Sequence, residues 1–337
     1  MKAVGYLETG PIDRPDALID FEAEEPTASG HDLLVKVEAI SVNPVDTKIR
    51  RRRAPKEGQP EILGWDAVGE VVATGDAAQN FAIGDKVFYA GAVNRPGTNA
   101  ELHLVDERIV GKAPSSSPIA AAAAMPLTTL TAYEMLFDRL WINEPIQGGE
   151  NTLLVIGGAG GVGSIAIQLA RALSDVTVIA TASRPETKAW VEDLGAHHVI
   201  NHADPLGPQI DALGIGSVDF IYSTTHSHLY AADAPGFMTP QGRYGLIDDP
   251  ETLDIMPFKS KAISIHWESM FTRSMFETGD MARQGEILNE VASLIDTGKV
   301  KSTFAESFGV INADNLMKAH ALLESGKSKG KIVLEGF

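Results

Sequence analysis

Thr152-Leu-Leu-Val-Ile-Gly-Gly-Ala-Gly-Gly-Val-Gly-Ser164 runs directly into Ile165-Ala-Ile-Gln-Leu-Ala-Arg-Ala-Leu173. An apolar run of strand length meets a glycine turn, and the turn opens an amphipathic helix. Gly158, Gly160 and Gly163 fit G-x-G-x-x-G with a strand before and a helix after, the context in which the pattern binds a dinucleotide. Gly158 is expected to permit the tight turn. Gly160, without a Cβ, lets the backbone approach a pyrophosphate, and Gly163 lets helix and strand pack closely. The helix aims its unpaired N–H groups and the positive end of its dipole at the phosphates, which adds Gly161 and Val162 to the cofactor-binding set.

The pattern changes on either side of this turn. Residues 1 to about 110 read as β-rich, with strands at Leu33–Ile40, Ala67–Ala73 and Asp85–Tyr89 separated by Gly, Asn, Pro and Asp. From about 128, strands and helices alternate. Thr128–Leu140 and Pro185–Leu194 read as helices; Val176–Thr181, His198–Ile200, Val218–Tyr222, Arg243–Ile247 and Ala262–His266 read as strands. Such alternation implies a parallel sheet covered on both faces. A helix over Gly285–Ile295 and a short strand at Lys331–Leu334 follow. The five alanines at 120–124 read as a helix that crosses between domains.

The bulk numbers exclude several classes. The 337 residues suffice for two domains. A net charge of −17 argues against a nucleic-acid partner and against an anionic membrane surface. The absence of cysteine removes disulfides, thiol nucleophiles and thiolate metal sites, and fits a cytoplasmic chain. Met1–Glu8 lacks an apolar signal region. The longest apolar run, Ile119–Leu127, is too short to span a bilayer.

Motifs along nearly the whole chain are specific. Val42-Asn-Pro-Val-Asp46, Leu63-Gly-Trp-Asp-Ala-Val-Gly-Glu-Val71, Gly84-Asp-Lys-Val87, Gly97-Thr-Asn-Ala-Glu101, Met125-Pro-Leu-Thr-Thr-Leu-Thr-Ala-Tyr-Glu134, the glycine turn and Gly330-Lys-Ile-Val-Leu334 together resemble the medium-chain dehydrogenase/reductase superfamily, and within it the zinc-free quinone oxidoreductase branch. His266–Phe276 looks like a subgroup often labelled zinc-type alcohol dehydrogenase-like. The resemblance implies an α/β fold: a Rossmann doubly wound parallel sheet, residues 127–264, inserted into a GroES-like β-barrel catalytic domain made from residues 1–126 and 265–337. It also implies a homodimer.

Zinc enzymes of the superfamily place Cys, then Gly-His-Glu, at the metal. Here the Cys position is Asn43 and the triplet reads Gly64-Trp65-Asp66, so no metal is expected. The nine histidines include clusters at 197–202 and 226–228, neither with the spacing of a closed three- or four-ligand site. Oxidation of an unactivated alcohol needs a Lewis acid to stabilise an alkoxide. Quinones and α,β-unsaturated carbonyls are already electrophilic, so hydride addition needs mainly orientation and a few hydrogen bonds.

The end of the second Rossmann strand bears on the cofactor. An NAD site offers Asp or Glu about 20 residues past the glycines. Ala180-Thr-Ala-Ser-Arg-Pro-Glu186 offers Ser183 and Arg184 instead, a hydroxyl and a guanidinium fork suited to a 2′-phosphate, with Lys188 one turn on. The expected cofactor is NADPH. By motif position, Asn43, Trp65 and Asp66 are the catalytic candidates, with Asn43 also at the nicotinamide, where its amide can donate to a carbonyl oxygen. The resemblance further implies cofactor contacts at Thr129, at His202 (where relatives often carry Tyr) and at Gly245, Leu246 and Ile247. Ser223 and Thr224 end a strand at the edge where ligands bind, and Lys331 reads either as a contact to the phosphates or as a solvated lysine. Arg50–Arg53 reads as a solvated charge run or as the lining of a cleft mouth. The reading is thus an NADPH-dependent reductase of quinones or enones. Its rivals are a zinc-dependent alcohol dehydrogenase and a non-catalytic NADPH-binding redox sensor or structural protein.

Overall fold

The computed structural model describes all 337 residues. The chain divides into two compact units: Met1–Leu130 with Met270–Phe337, and Thr131–Ser269.

The first unit is β-rich because its longest strand alternates. In Asp32–Val42, Leu33, Val35 and Val37 turn inward, and from Ala39 onward both faces are covered. This strand pairs antiparallel with Ala67–Thr74 on one side and with the C-terminal strand Lys331–Glu335 on the other, with Ile332 opposite Val42. The sheet has seven strands, and a three-stranded sheet holds Lys2–Tyr6 at its centre. Both chain ends therefore build one unit, the GroES-like fold that the resemblance implies.

The second unit is a six-stranded parallel sheet in the order His198–Ile200, Thr177–Thr181, Thr152–Ile156, Val218–Ser223, Met238–Leu246, Ser264–Trp267. Thr152–Ile156 is buried along its whole length, as a central strand covered on both faces requires. The order reverses next to it, so the glycine turn stands at the topological switch point.

The structure moves several expected boundaries. The division falls after Leu130, because the backbone N–H of Leu127 donates to Asp66 in the first unit. It resumes after Ser269, because Ser264–Trp267 is a strand of the parallel sheet. The alanine run forms a short helix, Ile119–Ala123, packed on strands of the first unit rather than crossing between units. The expected helix over 128–140 is an α-helix, Pro126–Tyr133, followed by a π-helical turn, Glu134–Arg139. Residues 119–139 together are long and apolar enough to cross a bilayer, yet 83% of that window is buried inside the fold. The arginine run lies on a helix, Pro44–Arg52, that the composition hid. Arg50 is fully buried: its guanidinium pairs with Glu324 and donates to Gly10 O (2.5 Å) and to His320 Nδ1 (3.4 Å). Arg53 bonds Glu61 and Val93 O, and only Arg51 and Arg52 are solvated.

Two histidines inside the first unit are held neutral. His103 stacks on Tyr89, its Nδ1 3.1 Å from the Tyr89 hydroxyl and its Nε2 3.0 Å from Pro96 O. Burial pushes its imidazole down to about 4. Burial, then Arg50, pushes His320 down to about 3. Both bind protons more weakly than in the unfolded chain, near 6.5. Their contribution to stability is therefore full above pH 6.5 and declines as pH falls toward 4 and 3. The thermal midpoint should fall between pH 6.5 and 5, with a shallower slope in His320→Gln. Equal slopes in the two proteins would remove His320 from this account.

Candidate functional site

The glycine turn is built almost as its spacing predicts, with one change of role. Gly157, not Gly158, takes the left-handed conformation (φ +82°). Its N–H donates to Thr181 Oγ1 at 3.0 Å, and the Gly158 N–H donates to Thr181 O at 3.1 Å. Thr181, which sequence reasoning missed, therefore pins the turn to the neighbouring strand; its place at the end of that strand was the available signal. A Cβ on Gly158 would stand 3.0 Å from Ala180 Cβ, so this glycine serves packing. A Cβ on Gly163 would fall 2.3 Å from Gly157 O, which is the close helix–strand approach expected. Around Gly160 the nearest atom to such a Cβ is Gly157 O, at 3.5 Å. The helix Gly161–Leu173 starts there with Gly160 as N-cap and with no acid in its first turn. Its first N–H groups, on Gly161, Val162 and Gly163, lack intrahelical partners, as at any helix start. An open, acid-free helix N-terminus behind a glycine turn fits a dinucleotide pyrophosphate.

The strand ends around this turn carry basic groups. Ser183 is exposed, and Arg184, in front of the helix Pro185–Asp193, pairs with Glu186 at 2.8 Å. That surface pair is worth little, and Glu186 is the first acid of the segment. Lys188 is half-buried. His202 Nδ1 lies 3.2 Å from Thr181 Oγ1, so the histidine reaches the residue that holds Gly157. Burial, then Arg184 and His226, lower its protonation. His226 itself takes a left-handed backbone (φ 50°) at the end of Val218–Ser223. Ser223 departs from the expected cofactor contact. Its hydroxyl is buried and accepts from Ser227 Oγ (2.8 Å), and Ser227 N donates to Asp248 Oδ2 (2.8 Å). These bonds fix the loop. Thr224 spends its hydroxyl on Ile156 O at 2.8 Å. Gly245 and Leu246 are buried in the sheet, where a Cβ on Gly245 would strike Met135, and Ile247 is half-buried just beyond the strand end.

In the first unit the catalytic candidates do come together, but in a closed polar cluster. Asp66 is fully buried. Its Oδ1 accepts from Leu127 N (2.7 Å). Its Oδ2 accepts from Ser41 Oγ (2.8 Å), Asn43 Nδ2 (2.8 Å) and Lys331 Nζ (2.9 Å). The Lys331 ammonium also donates to Asn43 Oδ1 and to Val42 O (3.2 Å). Asn43 N donates to Asp46 Oδ2 at 2.6 Å, capping the helix Pro44–Arg52. Asp46 is buried with its Oδ1 unpartnered, and burial, reinforced by Asp66, pushes its carboxyl up to about 7.

Three expectations are corrected here. Asn43 has both amide ends committed and no exposed surface, so it positions the loop rather than donating to a substrate. Lys331 is buried with its ammonium on Asp66, Asn43 and Val42, so it does not reach phosphates. Trp65 and Asp66 are interior: Trp65 is the largest fully buried side chain, its Nε1 donating to Ala92 O (3.2 Å) and its ring edge-on to Phe271. Thr129 lies outside this cluster. Its hydroxyl is buried without a partner and makes no back-bond, whereas Thr128 donates to Met125 O (3.3 Å).

The donor set does not fit zinc. Zinc sites take imidazole, thiolate and carboxylate in tetrahedral array. The three family positions offer an amide, an indole whose N–H is used, and a carboxylate saturated by four donors. No group of three His, Asp or Glu is placed to hold a metal.

Comparison with known proteins places this geometry. Residues 29–115 match the alcohol dehydrogenase GroES-like domain, and residues 194–334 match the zinc-binding dehydrogenase family. The chain is 38% identical to a zinc-type alcohol dehydrogenase-like protein of Staphylococcus epidermidis, over 99% of each chain. A crystal structure from Rhizobium etli, provisionally named a zinc-dependent alcohol dehydrogenase, superposes with TM-score 0.98 at 54% identity, covering 100% of this chain and 98% of that one. The 2-methylene-furan-3-one reductase of Solanum lycopersicum is 26% identical, over 99% of this chain and 79% of its own.

The distinct roles of the glycines can be separated by stability alone. Gly163→Ala should destabilise by about 1–3 kcal/mol, since the backbone must shift to admit a methyl group. Gly160→Ala should stay within about 0.5 kcal/mol of the parent. Denaturant unfolding of the two variants checks this, and equal losses would contradict the assignment.

Proposed function

The chain belongs to the medium-chain dehydrogenase/reductase superfamily, and within it we propose a zinc-independent, NADPH-dependent reductase of quinones or α,β-unsaturated carbonyls. The observation that carries this reading is the donor set at the family's metal positions, which suits an ammonium and not zinc. Without a Lewis acid an alkoxide is harder to stabilise, which favours an acceptor that is electrophilic by itself. A carbonyl conjugated to a double bond or a quinone ring meets that need, because the negative charge left by hydride addition spreads onto oxygen. The tomato relative, a reductase by name of a compound of this kind, supports the choice.

Bound NADPH supplies the hydride from its reduced nicotinamide. The chain's own residues bind and orient. Gly161, Val162 and Gly163 offer N–H groups to the pyrophosphate at the positive end of a 13-residue helix. Ser183, Arg184 and Lys188 suit a 2′-phosphate, and Arg184 exchanges a weak surface pair with Glu186 for it. Thr129, with its unpaired hydroxyl, is kept as a cofactor contact on the family resemblance. Solvent delivers the proton that completes reduction. Asn43 and Asp66 hold the start of the helix Pro44–Arg52 in place and are not catalytic in this reading.

A homodimer is part of the proposal. Ser264–Trp267 is the edge strand of the parallel sheet, and Trp267 is 57% exposed on it. An unprotected edge with an apolar side chain is the kind that pairs with another chain. A cytoplasmic location is proposed on the absence of cysteine.

Protein stripped of metal should oxidise NADPH when offered simple quinones and enones, followed at the nicotinamide absorbance. No turnover across a broad acceptor panel would overturn the reading. Loss of the Arg184 fork should remove about 1.5–3 kcal/mol of charge-assisted bonding. Arg184→Ala should therefore raise Kd for NADPH about tenfold or more and leave Kd for NADH unchanged. Equal weakening of both would reject the 2′-phosphate assignment.

A further inference from the structure

The buried ammonium of Lys331 has no counterpart in the reading of the sequence, which left it at the phosphates or in solvent. Its environment is specific. Lys331 is 3% exposed and Asp66 is 0% exposed. Three oxygens accept from Nζ: Asp66 Oδ2, Asn43 Oδ1 and Val42 O. Two of these side chains, Asn43 and Asp66, stand at positions that zinc members of the fold use around the metal. The third such position, Trp65, contributes bulk and no donor.

We propose that the Lys331 ammonium is the resident cation of this site: it occupies the donor set around Asn43 and Asp66 and thereby excludes a divalent metal from the chain. The physical argument is charge balance. A buried carboxylate needs a partner of opposite sign, since an unpaired one carries a desolvation penalty of several kcal/mol. A divalent ion can meet that need, and so can an ammonium brought in on a neighbouring strand. Lys331 comes from the first residue of the C-terminal strand, which pairs with Asp32–Val42 and so delivers Nζ beside Val42 and Asn43. A divalent ion in the same place would face a fixed positive charge within hydrogen-bond distance of its own ligands. It would also find one carboxylate oxygen already shared by three donors. The metal-free state is therefore enforced by the ammonium as well as by the changed ligands.

This inference rests on the metal-free part of the proposed function and is tested apart from it. The protein is produced with zinc in the medium, and metal content is measured by plasma mass spectrometry. Stoichiometric zinc in the wild-type chain would overturn the metal-free reading of function. The inference itself is tested by restoring the ligands with Asn43→Cys and Trp65→His, once with Lys331 present and once with Lys331→Met. Zinc should remain substoichiometric with Lys331 and rise to about one per chain without it. Equal zinc content in the two backgrounds would overturn the proposal.

A second measurement serves if the restored variants fail to fold. Lys331→Met alone should lower the thermal midpoint on the order of 10 °C, because it leaves Asp66 buried and unpaired. Lys331→Met with Asp66→Asn should recover part of that loss. Strictly additive losses would show that the ammonium does not serve as the counter-charge of Asp66, and would overturn the proposal as well.

Discussion

The ion pair between Lys331 and Asp66 organises the first unit. Both groups are out of water, a state that costs several kcal/mol per ion unless attraction and hydrogen bonds offset it. The offset is thorough: the ammonium donates to three oxygens, and both oxygens of the carboxylate accept hydrogen bonds. Four separate segments meet there, Ser41–Asn43, Asp66, Leu127 and Lys331. One ammonium can balance one carboxylate. At the neighbouring Asp46, burial, with the Asp66 charge, outweighs the backbone N–H bonds and Lys331 and favours its protonated form up to about pH 7. The same cluster sets the start of the helix Pro44–Arg52, and with it the buried place of Arg50.

Much of the second unit was legible because its signals are local. The glycine turn, the apolar strand before it and the acid-free stretch around Ser183 each lie within a dozen residues, and each is read from period and spacing. Finer detail was not. Gly157 and Gly158 are adjacent glycines, and only the hydrogen bonds to Thr181 decide which of them turns. Ser223 looked like a ligand contact because strand ends usually are. A serine four residues on, bonded to Asp248, decides otherwise.

The first unit was read less well, for the opposite reason. Asn43 and Asp66 were recognised by motif position, but their partners lie far away in sequence: Lys331 is 265 residues from Asp66. No window of sequence shows that a lysine near one end finds an aspartate near the other. The arginine run failed for a related reason. Four like charges in a row suggest a solvated face, and Arg50 escapes that rule only because Glu324 and Gly10 wait for it inside. Likeness to the relatives reports the whole fold, while a metal site depends on three or four side chains.

The split construction of the first unit bears on the order in which the chain matures. Residues 131–269 form a continuous unit whose strands are complete before the C-terminus exists. A chain leaving the ribosome can close that sheet while the preceding β unit still lacks its Lys331–Glu335 strand. Until that strand arrives, Asp66 has no counter-ion and residues 39–42 present an unpaired edge. The last seven residues are thus the ones that convert a nascent, aggregation-exposed half into a finished one, and premature truncation there should be far more harmful than its length suggests.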